Sequence, residues 1–280
     1  MVSAKTVPTK MFSIKTVLSK PYERGISMKA PNPIAFTAFG IDVMWYGVLI
    51  GLGFCLAIIL SYTRAPQFKI KSDDIIDFAI FLIPISIICA RAYYVIFSWD
   101  KYRGDIAAIL NIRGGGLAIH GGIIGGMLVA IGFCYFKKIR FFDLADLIFP
   151  TVALAQAIGR WGNFFNSEAH GGPTNLPWAI EVNGQMVHPT FLYESIWCLM
   201  LFIFLSWMSH RRSFSGQIAC LYGILYSIER ALVEQLRTDS LMIGPLKQAQ
   251  VLSLCIIIVC IILYSILKRK YKTDRMLSNL

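Results

Sequence analysis

The chain has 280 residues, 56% of them hydrophobic and only 15% charged, with a mean hydropathy of +0.60 and a formal net charge of +11. Soluble domains carry roughly 25% charged residues, so this deficit excludes an ordinary water-soluble fold and points to an integral membrane protein. The positive charge does not indicate a nucleic-acid partner, because most Lys and Arg sit in short clusters between apolar runs, where they act as topology signals beside anionic lipid.

Residues 1–39 form a leader with Lys5, Lys10, Lys15, Lys20, Arg24 and Lys29, expected to be external or interfacial; it lacks the continuous apolar core of a cleavable signal peptide. A bilayer core of ~30 Å needs ~20 apolar helical residues. Candidate spans lie at about 40–62, 75–97, 116–136, 143–160, 190–208, 216–236 and 248–267, the fourth short and the sixth interrupted by charges. The expected fold is an all-α integral membrane protein: about seven transmembrane helices over 40–267, a small external cap over 162–189 and a basic cytoplasmic tail, 268–280.

The loops after spans one, three and five carry Arg64, Lys69 and Lys71, then Lys137, Lys138 and Arg140, then Arg211 and Arg212. The other side holds Lys101, Arg103 and Arg113, then no Lys or Arg from Trp161 to Pro189. The positive-inside rule puts the C-terminus in the cytoplasm and, with seven spans, the N-terminus outside. The leader's charges run against this, but they are dispersed and partly distant from the first span. In the cap, Trp178–Val182 and Gln185–His188 flank Asn183-Gly184, a hairpin signal. The seven cysteines all lie in apolar runs and form no CxxC pair, so they read as small hydrophobes rather than a zinc site or disulfide framework.

Ionisable residues inside a membrane are costly and mark function or a water-filled cavity. In "RGGGLAIHGGIIGG", His120 stands near the external end of span three, beside Gly121 and Gly125, and Gly122 and Gly126, at the spacing that lets helices pack closely. His120 is either a general base or a packing residue bonded to backbone. In span six, Tyr226, Arg230, Glu234 and Arg237 fall within roughly an 80° arc at about 100° per residue. They form either an ion-pair ladder or the wall of a polar cavity, and guanidinium pairs suit phosphate. Arg160 ends span four and either snorkels or binds a ligand; Asn163, Asn166 and Glu168 follow it, with Gly162, Gly171 and Gly172 for turns. Tyr46 opens span one, and His188 and Glu194 open span five, Glu194 as a possible structural partner. Arg91 in span two lies within snorkelling reach of the interface. The external ends of five spans thus gather polar groups, as a site for an anionic lipid headgroup requires.

At these residues the chain resembles the bacterial prolipoprotein diacylglyceryl transferases. Their signature is similar to G-R-x-G-N-F-x-N-x-E-x-x-G, met here by Gly159, Arg160, Gly162, Asn163, Phe164, Asn166, Glu168 and Gly171. The "HGG" at His120, the "WYG" from Trp45, the "HP…LYE" from His188 to Glu194 and the Tyr226–Arg237 pattern match in order, over about Pro31 to Leu267. One departure is Ala249 before Gln250, where the family often has Gly; the long basic leader is another.

The resemblance implies transfer of diacylglyceryl from phosphatidylglycerol to the lipobox cysteine of a prolipoprotein, in a bacterial cytoplasmic membrane, with a thioether formed and glycerol phosphate released. Arg160 and Arg230 are assigned to the phosphate and His120 to the thiol proton. Tyr46, Asn163, Glu168, Gly171, Tyr226, Glu234 and Arg237 are assigned to substrate binding and positioning. No metal or cofactor is expected, and the partners are the two substrates and membrane lipid, without nucleic acid. An anionic-solute transporter is the alternative, though no internal repeat supports it. An intramembrane protease lacks its Ser–His, paired-Asp or HExxH signature, and a mere scaffold leaves the intramembrane charges unexplained.

Overall fold

The computed structural model describes residues 28, 29, 31–112, 115–238 and 240–277. The leader charges Lys5 to Arg24, and Arg113, lie outside the described residues.

The fold is mostly helical: α1 (Trp45–Arg64), α2 (Ser72–Phe97), the short α3 (Ile106–Leu110), α4 (Ile119–Lys137), α5 (Phe141–Phe165), α6 (Thr190–Ser209), α7 (Gln217–Leu236) and α8 (Gln248–Leu277). Six of these are long and apolar enough to cross a membrane among the described residues. The seventh long helix, α7, carries Glu229, Arg230 and Glu234. Large apolar side chains such as Ile80, Ile88 and Phe136 face outward, as expected where lipid replaces water.

Local chemistry sets several helix ends. Asp73 and Asp74 occupy the first turn of α2, where carboxylates favour the positive end of the helix dipole. Lys138 closes α4 in the left-handed conformation, and Lys137 in its last turn meets Asp74 at 2.7 Å and Asp77 at 2.6 Å. The principal packings are α2 on α4, α1 on α5, α5 on α6 and α7 on α8. Gly121 and Gly125 are the buried pair in the α4 seam, pressed against Cys89, Ala90 and Tyr93 of α2; Gly122 and Gly126 fit more loosely.

Two expectations need correction. The fourth span is not short: α5 runs 25 residues and does not leave the helix until Asn166. The first helix does not begin at residue 40, because β3 (Ile41–Met44) pairs antiparallel with β2 (Ile34–Ala38) across a turn at Phe39 and Gly40, both with positive φ. The chain is therefore not wholly helical. The expected cap hairpin is present as β4 (Ile180–Val182) and β5 (Gln185–Val187), with Asn183 and Gly184 at positive φ as a tight two-residue turn needs. A two-residue strand, β1 (Met28–Lys29), runs parallel to β4, and β6 (Met242–Ile243) pairs with β7 (Leu246–Lys247) before α8. Ile180, Val182 and Val187 bury against Phe164 of α5 and Phe191 of α6, which seats the hairpin on the helix ends.

A candidate active site at one end of the bundle

Arg160 sits one turn before the end of α5, on a stretch that stays helical despite two glycines. The reason at Gly162 is close approach: a Cβ there would lie 2.5 Å from Cδ2 of Tyr46. Tyr46 of α1 thus lies on the face of α5 that carries the signature. Trp161 donates to Ser195 at 3.1 Å, and Ser195 donates to the carbonyl of Ala157 at 2.8 Å, locking α5 to α6.

That lock brings Arg160 to Glu194, a fully buried carboxylate on α6. Arg160 Nη1 is 3.1 Å from Glu194 Oε2, and Arg230 Nη1 of α7 is 3.3 Å from Glu194 Oε1. One carboxylate therefore holds two guanidiniums from two helices. Arg230 Nη2 continues to Glu234 Oε2 at 2.8 Å, and Arg237 Nε stands 4.0 Å from the same oxygen. Tyr226 Oη lies 3.4 Å from Arg160 Nη2. The side chains of Arg160 and Arg230 remain 20% and 23% exposed while Glu194 is 0% exposed. The acid is sealed, while the two arginine side chains keep some exposure.

The ladder expected as one reading of span six is real, and it joins a larger cluster. Glu194 is its centre, not a peripheral partner. Glu194 Oε2 and Glu234 Oε2 hold arginines by charge but accept no well-aligned hydrogen bond. Glu229, 3% exposed on α7, has both oxygens buried without a hydrogen-bond partner. It interacts electrostatically with Arg160, Arg230 and Glu194. Sequence reasoning did not single out Glu229; its signal was a second acid beside Glu234 in the same helix.

Beyond α5 the chain folds back. Asn163 and Asn166 donate to Glu168 Oε1 at 3.0 and 3.3 Å, so these three signature residues order one another. Gly171 lies between the cap and α7: its N–H donates to His188 at 3.0 Å, and a Cβ would come 2.7 Å from the Cβ of His188. Gly171 also bridges to Arg237, so the cap is stitched to the arginine ladder through backbone. Lys247 of β7 caps the far end of α7, donating to the carbonyls of Glu234 at 2.7 Å and Arg237 at 2.9 Å.

His120 is placed apart. It is exposed in the first turn of α4, its ring 6.0 Å from that of Tyr93 in a stacked arrangement. No hydrogen bond or ion pair joins it to the arginine cluster among the described residues. Arg91 does not snorkel outward, contrary to expectation. It is 7% exposed and donates to the carbonyls of Ala108, Ile109, Gly115 and Gly116 at 2.6 to 2.9 Å. A guanidinium has enough donors for this, and it ties the segment leading to His120 onto α2.

Arginine side chains held on sealed carboxylates can bind a phosphate and stabilise charge growing on it. Over residues 33–266 the chain matches the family model described as prolipoprotein diacylglyceryl transferase. It is 51% identical to the phosphatidylglycerol--prolipoprotein diacylglyceryl transferase of Clostridioides difficile (strain 630), over 86% of this chain and 97% of that protein. Identity to the protein of the same name from Finegoldia magna is 49%, over 82% of this chain and 93% of that one. For Acaryochloris marina it is 46%, over 80% and 86%. The match spans every helix that carries the arginine site, and the chain belongs to the prolipoprotein diacylglyceryl transferase family.

Proposed function

We infer that this chain moves the diacylglyceryl group of phosphatidylglycerol onto the cysteine thiol of a prolipoprotein lipobox. The observation that carries the reading is a pair of arginines, Arg160 and Arg230, with partly exposed side chains fixed on one sealed carboxylate, Glu194.

The bond that breaks joins the diacylglyceryl carbon to the phosphate oxygen, and a carbon–sulfur bond forms. The phosphodiester monoanion leaves as glycerol phosphate with a second negative charge growing on it. Arginines aimed at that phosphate stabilise the transition state more than the ground state. Glu194 keeps Arg160 and Arg230 in place, so they need not reorganise as the charge develops. The thiol, with an unperturbed pKa of about 8.5, must lose its proton. His120 is assigned that proton as general base, and its exposed position suits a peptide arriving from outside the arginine cluster. Tyr46, Asn163, Glu168, Gly171 and Tyr226 shape the headgroup pocket, with Glu234 and Arg237 extending the ladder.

The same reading makes α7 a seventh crossing, its charges tolerated because they face the cavity rather than lipid. It places the cap over 162–189 at the outer leaflet of a bacterial cytoplasmic membrane, the leader over 1–39 outside and the basic end of the chain, 268–280, in the cytoplasm. The test is to incubate the purified protein with phosphatidylglycerol and a lipobox peptide. The expected result is a mass increase of one diacylglyceryl group on the peptide cysteine with glycerol phosphate released. Movement of an anionic solute across vesicles without covalent product would favour a transporter instead.

A further inference from the structure

The opposite end of the bundle carries a second concentration of charge. Two cavities of about 630 and 710 Å³ open side by side there, sharing Ser213, Phe214 and Tyr271. Lys69, Arg140 and Arg212 line the first, and Lys268, Lys272 and Arg275 the second; no acidic residue lines either. Two of these cations are neutralised from beneath, Arg140 by Asp143 at 2.6 Å and Arg212 by Asp146 at 2.8 Å. Lys69, Lys268 and Lys272 make no ion pair among the described residues. Lys268 sits 5.8 Å from the ring centre of Tyr264. Phe214 forms the partition, with the rings of Tyr264 and Tyr271 at 5.1 and 6.4 Å from its own.

Like charges gathered around a groove repel, and an anion between them relieves the repulsion. The surroundings say what kind of anion. Towards the middle of α8 from this groove, on the face that carries Lys268 and Arg275, Ile261 and Leu254 stand 50% and 59% exposed. A ligand with a phosphate in the groove can lay apolar chains along that face. Basic pockets between helices near the membrane surface bind anionic headgroups in this way. Along α5, Asp143 and Arg160 are about 26 Å apart at about 1.5 Å rise per residue, nearly the thickness of a bilayer core. The two ends therefore meet different leaflets.

We propose that the paired cavities bind the headgroup phosphate of an anionic phospholipid from the leaflet opposite to the arginine site. This second lipid site stands whether or not the arginine site performs the transfer.

Native mass spectrometry of the full chain in a neutral detergent, titrated with dioleoyl phosphatidic acid, tests it. The wild type should bind two lipids. Lys69→Gln/Lys272→Gln should weaken one of them by roughly 30-fold, with diacylglyceryl transfer and melting temperature unchanged. Lys69→Arg/Lys272→Arg should restore it, because charge rather than shape holds the phosphate. Arg160→Ala should remove the other lipid and leave this one. Unaltered binding in the Gln variant overturns the proposal, as does phosphatidylcholine binding equally well. Inorganic phosphate competing as tightly as the lipid would mean a free anion is the ligand, which also overturns it.

Discussion

The two ends of this bundle use the same residue types and leave them in opposite states. At one end Asp143 accepts from Arg212, from Ser215 at 2.6 Å and from Arg140 at 2.6 Å. Asp146 meets Arg212 at 2.8 Å and accepts from the N–H groups of Gly216 at 2.7 Å and Ala219 at 2.8 Å. Neither aspartate has a buried oxygen without a partner. At the other end, oxygens of Glu194, Glu229 and Glu234 are buried without a hydrogen bond, while the side chains of Arg160 and Arg230 stay partly exposed. A fully satisfied polar network rigidifies a fold. A half-satisfied one costs stability and persists where a ligand completes it. The first cluster clamps the α6–α7 connection onto the start of α5; the second is the one we propose takes the substrate.

The largest expected effect falls on the second cluster. Arg160→Ala should lower thioether formation by roughly 10³-fold, the scale for losing a donor aimed at developing charge. The protein should remain folded, because Glu194 keeps Arg230. Peptide mass spectrometry and a melting curve in detergent measure the two separately. Near-normal transfer would make Arg160 an ordinary boundary arginine and erase the contrast between the ends.

Asp146→Ala should show the reverse pattern. It strands two backbone N–H groups and removes one of the two carboxylates on Arg212, at a cost of about 3 kcal/mol in stability. The melting temperature should fall, while transfer per folded molecule stays unchanged. A loss of rate in the folded fraction would show that the far end acts on the site and is more than a clamp.

Six of the seven long helices were legible because runs of about twenty apolar residues are a strong signal; α7, interrupted by Glu229, Arg230 and Glu234, carried a weaker one. The end of α5 was not legible. Gly159, Arg160, Gly162 and Asn163 look like the exit from a helix, yet Tyr46 packed on Gly162 and Glu194 beneath Arg160 hold that turn in place. The Tyr226–Arg237 stripe was readable because its spacing lies within one helix. Glu194 as the hub was not, since its arginines come from α5 and α7, and no spacing along one chain segment reports a distance between helices. The same limit hid the four carbonyls that turn Arg91 inward. The hairpin of β2 and β3 did leave a trace: Phe39-Gly40 between alternating residues, obscured by its place beside an apolar span.

His120 belongs to neither end cluster, so its variant sharpens the comparison from outside. If it takes the thiol proton, His120→Asn should cost about 10²-fold at neutral pH. The deficit should shrink as pH approaches about 8.5, where the thiol ionises unaided. Binding of phosphatidylglycerol should persist, since the arginines carry it. A pH series of single-turnover transfer, with lipid binding measured separately, decides the matter. Loss of lipid binding would make His120 a headgroup or structural residue; full activity at neutral pH would place the base elsewhere.

The smallest effect is expected at Glu168, where the comparison can be made within one group of residues. Asn163 and Asn166 both donate to Glu168 Oε1, and the backbone N–H of Glu168 donates to Asn163 at 3.0 Å. Unlike Glu194, this carboxylate forms no ion pair with an arginine among the described residues, and it is exposed. Glu168→Gln keeps a carbonyl oxygen that can accept from both amides and removes only the charge. Hydrogen bonds to charged groups exceed neutral ones by about 1 kcal/mol, so transfer should fall about fivefold, with little change in melting temperature. Glu168→Ala should fall further, because the two asparagines lose their common acceptor and the turn after α5 loses its order. If Gln were as damaging as Ala, the negative charge itself would be in use, and Glu168 would join Glu194 as an acid the reaction depends on. If both variants kept full rate, the turn would be a cover over the arginines with no part in holding the substrate.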